Sequence, residues 1–248
     1  MLEVRGISTS FGGLKAVTDA NLSVSEGQIA SLIGPNGAGK TTLFAVISGF
    51  LKPDSGSVTF SGADITGQEP HAICQQGIVR TFQVVQPFAG LTVLENIAVG
   101  AHTRIANRGH ALARATEVAG LVGMEGVLDQ SAGDLTIAGR KRLELARALA
   151  TEPALLLLDE VMAGLNATEI QELVPVIRGI RDSGVTIFLI EHVMQAVMSL
   201  SDHTYVLSQG AMIADGTPKD VTGSPAVIEA YLGHGAAERL AKMGGVNA

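Results

Sequence analysis

The chain has little of several things that define other classes of protein. Tryptophan is absent from its 248 residues and aromatics make up only 4%, so a core must be packed from Val, Ile, Leu and Ala. That composition suits layered α/β architecture. A single cysteine, Cys74, rules out an internal disulfide and fits a reducing compartment. Long apolar runs are missing as well: the strongest, Ala154 to Leu158, falls far short of the ~20 residues that a membrane-crossing helix needs. The start, Met1-Leu2-Glu3-Val4-Arg5, leads into no apolar stretch, so no signal peptide is expected, and any membrane role has to come through partners. Basic residues are outnumbered 17 to 24, a net charge of −7, which disfavours nucleic acid or anionic lipid as the main partner. The length allows one large domain or a core domain carrying an insertion.

Glycine, in contrast, is plentiful, and three glycines fall in Gly34-Pro35-Asn36-Gly37-Ala38-Gly39-Lys40-Thr41-Thr42, which fits G-x-x-x-x-G-K-[ST]. A triphosphate needs several backbone N–H groups turned inward together, and glycines permit that turn without a Cβ in the way. Lys40 adds a point charge near the β and γ phosphates, and the Thr41 hydroxyl is suited to hold Mg²⁺. The setting agrees: Ile29 to Ile33 reads as a buried strand and Lys40 to Ser48 as a helix whose positive end faces the phosphates.

Around this loop, Leu2 to Ile7 and Ala20 to Val24 alternate as strands, and Phe11 lies between them beside Gly12-Gly13. An aromatic there either stacks on a nucleotide base or anchors the turn. Ser57 to Phe60 continues an antiparallel layer, and Ile78-Val79-Arg80-Thr81-Phe82-Gln83 reads as a strand ending in a polar residue. Gln83 either reaches Mg²⁺ or the attacking water, or is a solvated loop residue. From about Val84 to Ala150 helical period replaces β alternation. Thr92-Val93-Leu94-Glu95 is a capping box, Ala111 to Val122 is an Ala-rich helix, and Thr136 is an N-cap whose helix end offers a second phosphate contact. The Arg140-Lys141-Arg142 cluster reads as a solvated face rather than a nucleic-acid site.

Ala154 to Leu158 is a fully apolar strand that ends in Asp159-Glu160. Carboxyl ends of parallel strands converge where ligands bind, and two adjacent carboxylates repel unless a cation intervenes. Asp159 is therefore read as the ligand of Mg²⁺ or of its water, and Glu160 as the group that polarises the attacking water. A helix from Asn166 to Asp182 carries Pro175 within it, where a bend is expected. Val185 to Ile190 is a further buried strand ending in Glu191-His192, which puts His192 in reach of a γ phosphate. Tyr205 to Ser208 and Ala211 to Ala214 flank Gln209-Gly210 as a hairpin, read as lying on the far side of the sheet. The fold class these elements give is α/β: a phosphate-loop NTPase core with a mixed sheet (1–83 and 151–233), an antiparallel β layer, an inserted helical subdomain (84–150) and a C-terminal tail (234–248), weakly helical from Ala236 to Met243.

With these motifs in this order, the chain resembles the ATP-binding subunit of ABC transporters over nearly its whole length. Arg80-Thr81-Phe82-Gln83, Ala163-Gly164-Leu165-Asn166, Ile190-Glu191-His192-Val193-Met194 and Val227 to Gly233 look like the branched-chain amino acid importer subfamily. The resemblance implies two such subunits sandwiching two ATP molecules, the phosphate loop of one facing the signature segment of the other. Closure then pulls on two membrane permease subunits lodged against the inserted helices near Pro87 and Phe88, with a periplasmic binding protein delivering the substrate. It also implies that Phe11 stacks on the base, that Asn36, Gly37, Ala38, Gly39, Lys40, Thr41 and Thr42 hold the phosphates, and that Thr136 and Ala138 contact ATP across the dimer. Gln83 becomes the lid glutamine, a metal ligand with Thr41 and Asp159; Glu160, His192 and Gln83 form the catalytic set. The implied location is the cytoplasmic face of a bacterial inner membrane, with no nucleic acid as partner.

The signature departs from the family's usual Leu-Ser-Gly-Gly-Gln, standing as Leu135-Thr136-Ile137-Ala138-Gly139. Thr136 keeps a hydroxyl, but Ala138 adds a Cβ where glycine allows close approach. Pairing with a related but different ATPase subunit is therefore expected, with two unlike composite sites. Asn166 stands where many relatives carry Asp. Three other readings compete: an ATPase subunit serving lipopolysaccharide or another substrate, a soluble phosphate-loop kinase, and a non-transport ABC protein acting on DNA or ribosomes. A kinase calls for a substrate lid in place of a signature-like helix, and the last class has paired ATPase halves or long coiled coils.

Overall fold

The computed structural model of the chain describes residues 1–82 and 86–232. Ten strands run in chain order as β1 (Leu2–Phe11), β2 (Leu14–Val24), β3 (Ile29–Ile33), β4 (Ser55–Phe60), β5 (Ala63–Asp64), β6 (Ile78–Arg80), β7 (Leu155–Asp159), β8 (Thr186–Ile190), β9 (His203–Ser208) and β10 (Ala211–Gly216) among the described residues. The α-helices are α1 (Lys40–Ile47), α2 (Pro70–Gln75), α3 (Val93–Ala101), α4 (Arg108–Leu121), α5 (Ile137–Leu149), α6 (Ala167–Asp182), α7 (Met194–Leu200), α8 (Pro218–Thr222) and α9 (Pro225–Leu232).

Two sheets form. The central sheet has the order β10-β9-β3-β8-β7-β6, parallel except for β10, and the second is antiparallel with the order β2-β1-β4-β5. Alternation explains how they stack. Along β7, Leu155 and Leu157 point into a core shared with the antiparallel sheet and α1, through Val4, Leu22, Leu43 and Phe44. Leu156 and Leu158 point the other way, into a core shared with α3, α4, α5 and α6. A strand buried on both faces needs no polar alternation, which is why β7 reads as an unbroken apolar run.

The expected mixed sheet, antiparallel layer and helical insertion are all present. Side-chain capping accounts for several of the helix starts. Thr92 closes a capping box with Glu95, Thr136 Oγ1 accepts from the Gly139 N–H at 3.1 Å, and Asn166 closes a second box with Glu169. The α6 helix runs through Pro175 as one element.

One strand is shorter than expected. The span β6 ends at Arg80, because the Asp159 N–H takes the Thr81 hydroxyl as acceptor in place of a ladder carbonyl. The next amide, Phe82 N–H, leaves the sheet altogether and donates to Glu144 of α5 at 2.6 Å. Gln83 lies outside the described residues, as do Ala236 to Met243 and the tail.

Candidate nucleotide site

The phosphate loop joins β3 to α1, and its glycines are there for shape. Gly34, Gly37 and Gly39 have φ of +152°, +78° and +103°. A Cβ on Gly39 would stand 2.3 Å from the Ala16 carbonyl oxygen, and one on Gly34 would stand 2.0 Å from that of Leu207. Neighbouring chain thus occupies the space that any larger residue requires. Lys40 bends back over the loop and donates to the carbonyls of Gly34 at 2.8 Å and Pro35 at 3.0 Å. Burial pulls its pKa below 10.5, while Glu160 and Asp159 nearby work in the opposite direction.

An open cavity of about 850 Å³ lies over this loop. Phe11, Asn36, Gly37, Ala38, Gly39, Lys40, Thr41 and Thr42 line it, together with Glu160 and His192 from the ends of β7 and β8. Residues far apart in the sequence, which the sequence assigns to holding ATP or to its hydrolysis, therefore share one space. Glu160 is held at φ +49°, a conformation uncommon outside glycine, with its N–H donating to Ile190 at 3.0 Å and its carbonyl accepting from Lys141 at 3.3 Å. That backbone conformation at a cavity wall singles out Glu160 as a residue to test by substitution.

Asp159 faces a second cleft of about 670 Å³, which Thr41 also lines, along with Arg80, Glu144 and Arg147. Asp159 is 2% exposed; its Oδ2 pairs with Arg80 Nη2 at 2.7 Å, and its Oδ1 has no hydrogen-bond partner. No three His, Cys, Asp or Glu side chains converge as a metal cluster among the described residues. One orphan carboxylate oxygen and one hydroxyl instead match the way Mg²⁺ is held, by a carboxylate or two plus phosphate oxygens. The donor set fits the metal.

Thr136 and Ala138 line neither cavity. Thr136 is exposed at the start of α5, and Ile137 beside it is 60% exposed. That helix end is exposed to solvent.

Several residues at the site were not foreseen. Gln209 and Gly210, expected on the far side, line the nucleotide cavity, because β9 pairs with β3 and delivers the hairpin turn there. The Gly210 N–H donates to Ala38 at 3.0 Å and its carbonyl accepts from Thr18 at 2.7 Å. Nothing in a Gln-Gly turn announces such a neighbour. Glu191 is fully buried, and one carboxylate oxygen accepts from the Met162 N–H at 2.9 Å while the other lacks a partner. Burial pushes its pKa above 4.5, opposed by the Met162 amide, the His192 charge and the His192 amide and assisted by Glu160. Glu144 is likewise raised by burial, against the pull of the Phe82 N–H, Lys141 and Arg147. The spacing of carboxylates carries no signal of depth.

Comparison with known proteins decides the family. The ABC transporter family pattern matches residues 17–163, and the pattern of the branched-chain amino acid ATP-binding cassette transporter matches residues 211–237. The chain belongs to the ABC transporter ATP-binding family. It is 42% identical to the high-affinity branched-chain amino acid transport ATP-binding protein BraF of Pseudomonas aeruginosa, over 94% of this chain and 98% of that one. Identity to LivG of Escherichia coli, described in the same terms, is 40% with the same coverage. Among solved structures, the ADP conformation of MJ1267, an ATP-binding cassette of an ABC transporter, superposes with a TM-score of 0.86 at 34% identity, covering 94% of this chain and 99% of that one. In this family the cavity over the phosphate loop is a nucleotide site. No helix long and apolar enough to cross a membrane occurs among the described residues.

Proposed function

We propose that this ABC subunit hydrolyses ATP to drive an importer of branched-chain amino acids, working at an interface with a second ATPase subunit that is a related but different chain. Its other partners are two membrane permease subunits and, through them, a periplasmic binding protein. The working location is the cytoplasmic face of a bacterial inner membrane. The observation that carries the reading is the meeting of the phosphate loop, Glu160 and His192 around one cavity. The substrate assignment is supported by the names of the relatives and by the subfamily pattern over residues 211–237.

Each residue has a task in this mechanism. Backbone amides of the loop from Asn36 to Thr41 take the phosphate oxygens, and Lys40 turns from the Gly34 and Pro35 carbonyls to the β and γ phosphates. Phe11, 51% exposed beside Leu14 and Lys15, offers its face to the base. Glu160 accepts a proton from the attacking water, and His192 holds the γ phosphate in line. Thr41 and Asp159, with Gln83, would hold Mg²⁺, which when bound offsets the charge on the phosphate oxygens. Thr136, at the exposed tip of α5, reaches the nucleotide of the partner subunit. Residues 84–150 act as the helical subdomain that meets the permeases, and 1–83 with 151–233 as the ATP-binding core.

The test is reconstitution with its permeases in vesicles. Uptake of leucine, isoleucine or valine that needs ATP and is lost in Glu160→Gln is the expected result, with the variant still binding nucleotide and turnover down by about 10²-fold or more. Full turnover in that variant, or uptake of an unrelated solute alone, refutes the reading.

A further inference from the structure

The ion pair between Arg80 and Asp159 joins the last residues of two neighbouring strands, β6 and β7, which run parallel. The side chains are 8% and 2% exposed, so both charges have left water. Such a pair is a firm structural bridge only when the remaining donors and acceptors are satisfied. Here they are not. Arg80 Nε and Asp159 Oδ1 are buried without partners, and Nη1 reaches Ser48 Oγ only at 3.4 Å. The guanidinium also has somewhere to go. It lies 5.8 Å from the Phe82 ring, inside a cleft that Glu144 lines as well. A half-satisfied pair beside such a cleft is built to exchange.

We propose that Arg80 is a positioning residue that stands in for the metal at Asp159 and yields that carboxylate when Mg²⁺ arrives with nucleotide. Arg80 gives the buried Asp159 carboxylate a hydrogen-bonded counter-charge between turnovers and holds it aimed at the cleft it shares with Thr41. Arg80 and the metal compete for one carboxylate, so the protein senses Mg²⁺ through release of the guanidinium. This rests on the reading that Asp159 holds Mg²⁺.

The experiment uses the full chain and a fluorescent ATP analogue at fixed concentration, titrated with Mg²⁺. Arg80→Met and Arg80→Gln remove the charge, and the Gln side chain keeps a polar reach to Asp159 should the Met variant fold poorly. Loss of the competitor is expected to lower the Mg²⁺ midpoint about tenfold, equivalent to ~1.4 kcal/mol. The nucleotide-free melting temperature should fall, and adding Arg80→Gln to Asp159→Asn should cause little further fall. A folded Arg80 variant whose Mg²⁺ midpoint is unchanged or raised overturns the proposal. Should the wild-type protein show a Mg²⁺ response that Asp159→Asn leaves intact, the metal assignment itself fails and the competition with it.

Discussion

Two glycines of the phosphate loop differ in what surrounds them, and alanine at each separates backbone strain from steric conflict. Both have positive φ, +78° at Gly37 and +103° at Gly39. A Cβ on Gly37 would meet nothing within 4 Å, whereas one on Gly39 would press on the Ala16 carbonyl oxygen at 2.3 Å and Val17 Cγ2 at 3.2 Å. Gly37→Ala should therefore show strain alone, about 1–2 kcal/mol. Gly39→Ala adds an overpacking term of about 1–3 kcal/mol. The Ala16 carbonyl would have to retreat by about 0.7 Å to restore a 3.0 Å approach, yet Thr18, two residues on, is fastened to Gly210 at 2.7 Å. At ~2–4 °C per kcal/mol for a chain of this size, the Gly39 variant should melt roughly 2–12 °C below the Gly37 variant. Scanning calorimetry of the nucleotide-free proteins measures the gap. Equal melting temperatures, or a Gly37 variant that melts lower, would show that the loop is not wedged between β2 and β9.

Glu191→Gln keeps an acceptor for the Met162 N–H and removes a buried charge. A carboxyl whose folded pKa lies above 4.5 contributes stability that is present below that pH and lost as pH rises through the folded value, so the variant should gain on the wild type between pH 4.5 and neutrality in paired melts. A gap that closes over this range contradicts the burial argument. Lys40 gives the other sign of response: with its free-state pKa below 10.5 and phosphate favouring the ammonium, ATP affinity should weaken as pH rises toward 10.5, read by titration calorimetry. Thr136→Ala removes the N-cap of α5, which should destabilise by about 1 kcal/mol. In the mixed pair it should also cut turnover more than it cuts the binding of ATP to the isolated chain.

Much of this was legible because local chemistry announces itself. The Thr92 and Thr136 caps, the apolar run of β7 and the glycines of the phosphate loop each carry their cause within a few residues. What stayed hidden depended on partners far away in the chain. In the sequence Arg80 is one strand residue among others; only the fold pairs it with Asp159, 79 positions on. β6 ends earlier than alternation predicts because the Thr81 hydroxyl replaces a ladder carbonyl, a substitution invisible to alternation. Gln209-Gly210 was recognised as a hairpin turn, but its place beside the phosphate loop follows from the order of strands and not from the turn.

That last feature bears on how the protein is made. The loop that begins at Gly34 borrows a wall from Leu207 and a hydrogen bond from Gly210, both more than 160 positions downstream, so it has no finished form until the last strands are in place. A chain cut short before β9 would display every residue of the phosphate loop yet lack the wall and the hydrogen bond that complete its shape. Nucleotide binding is therefore expected only once β9 and β10 have joined the sheet, and chains truncated before Leu207 that bind ATP as well as the full chain would contradict this.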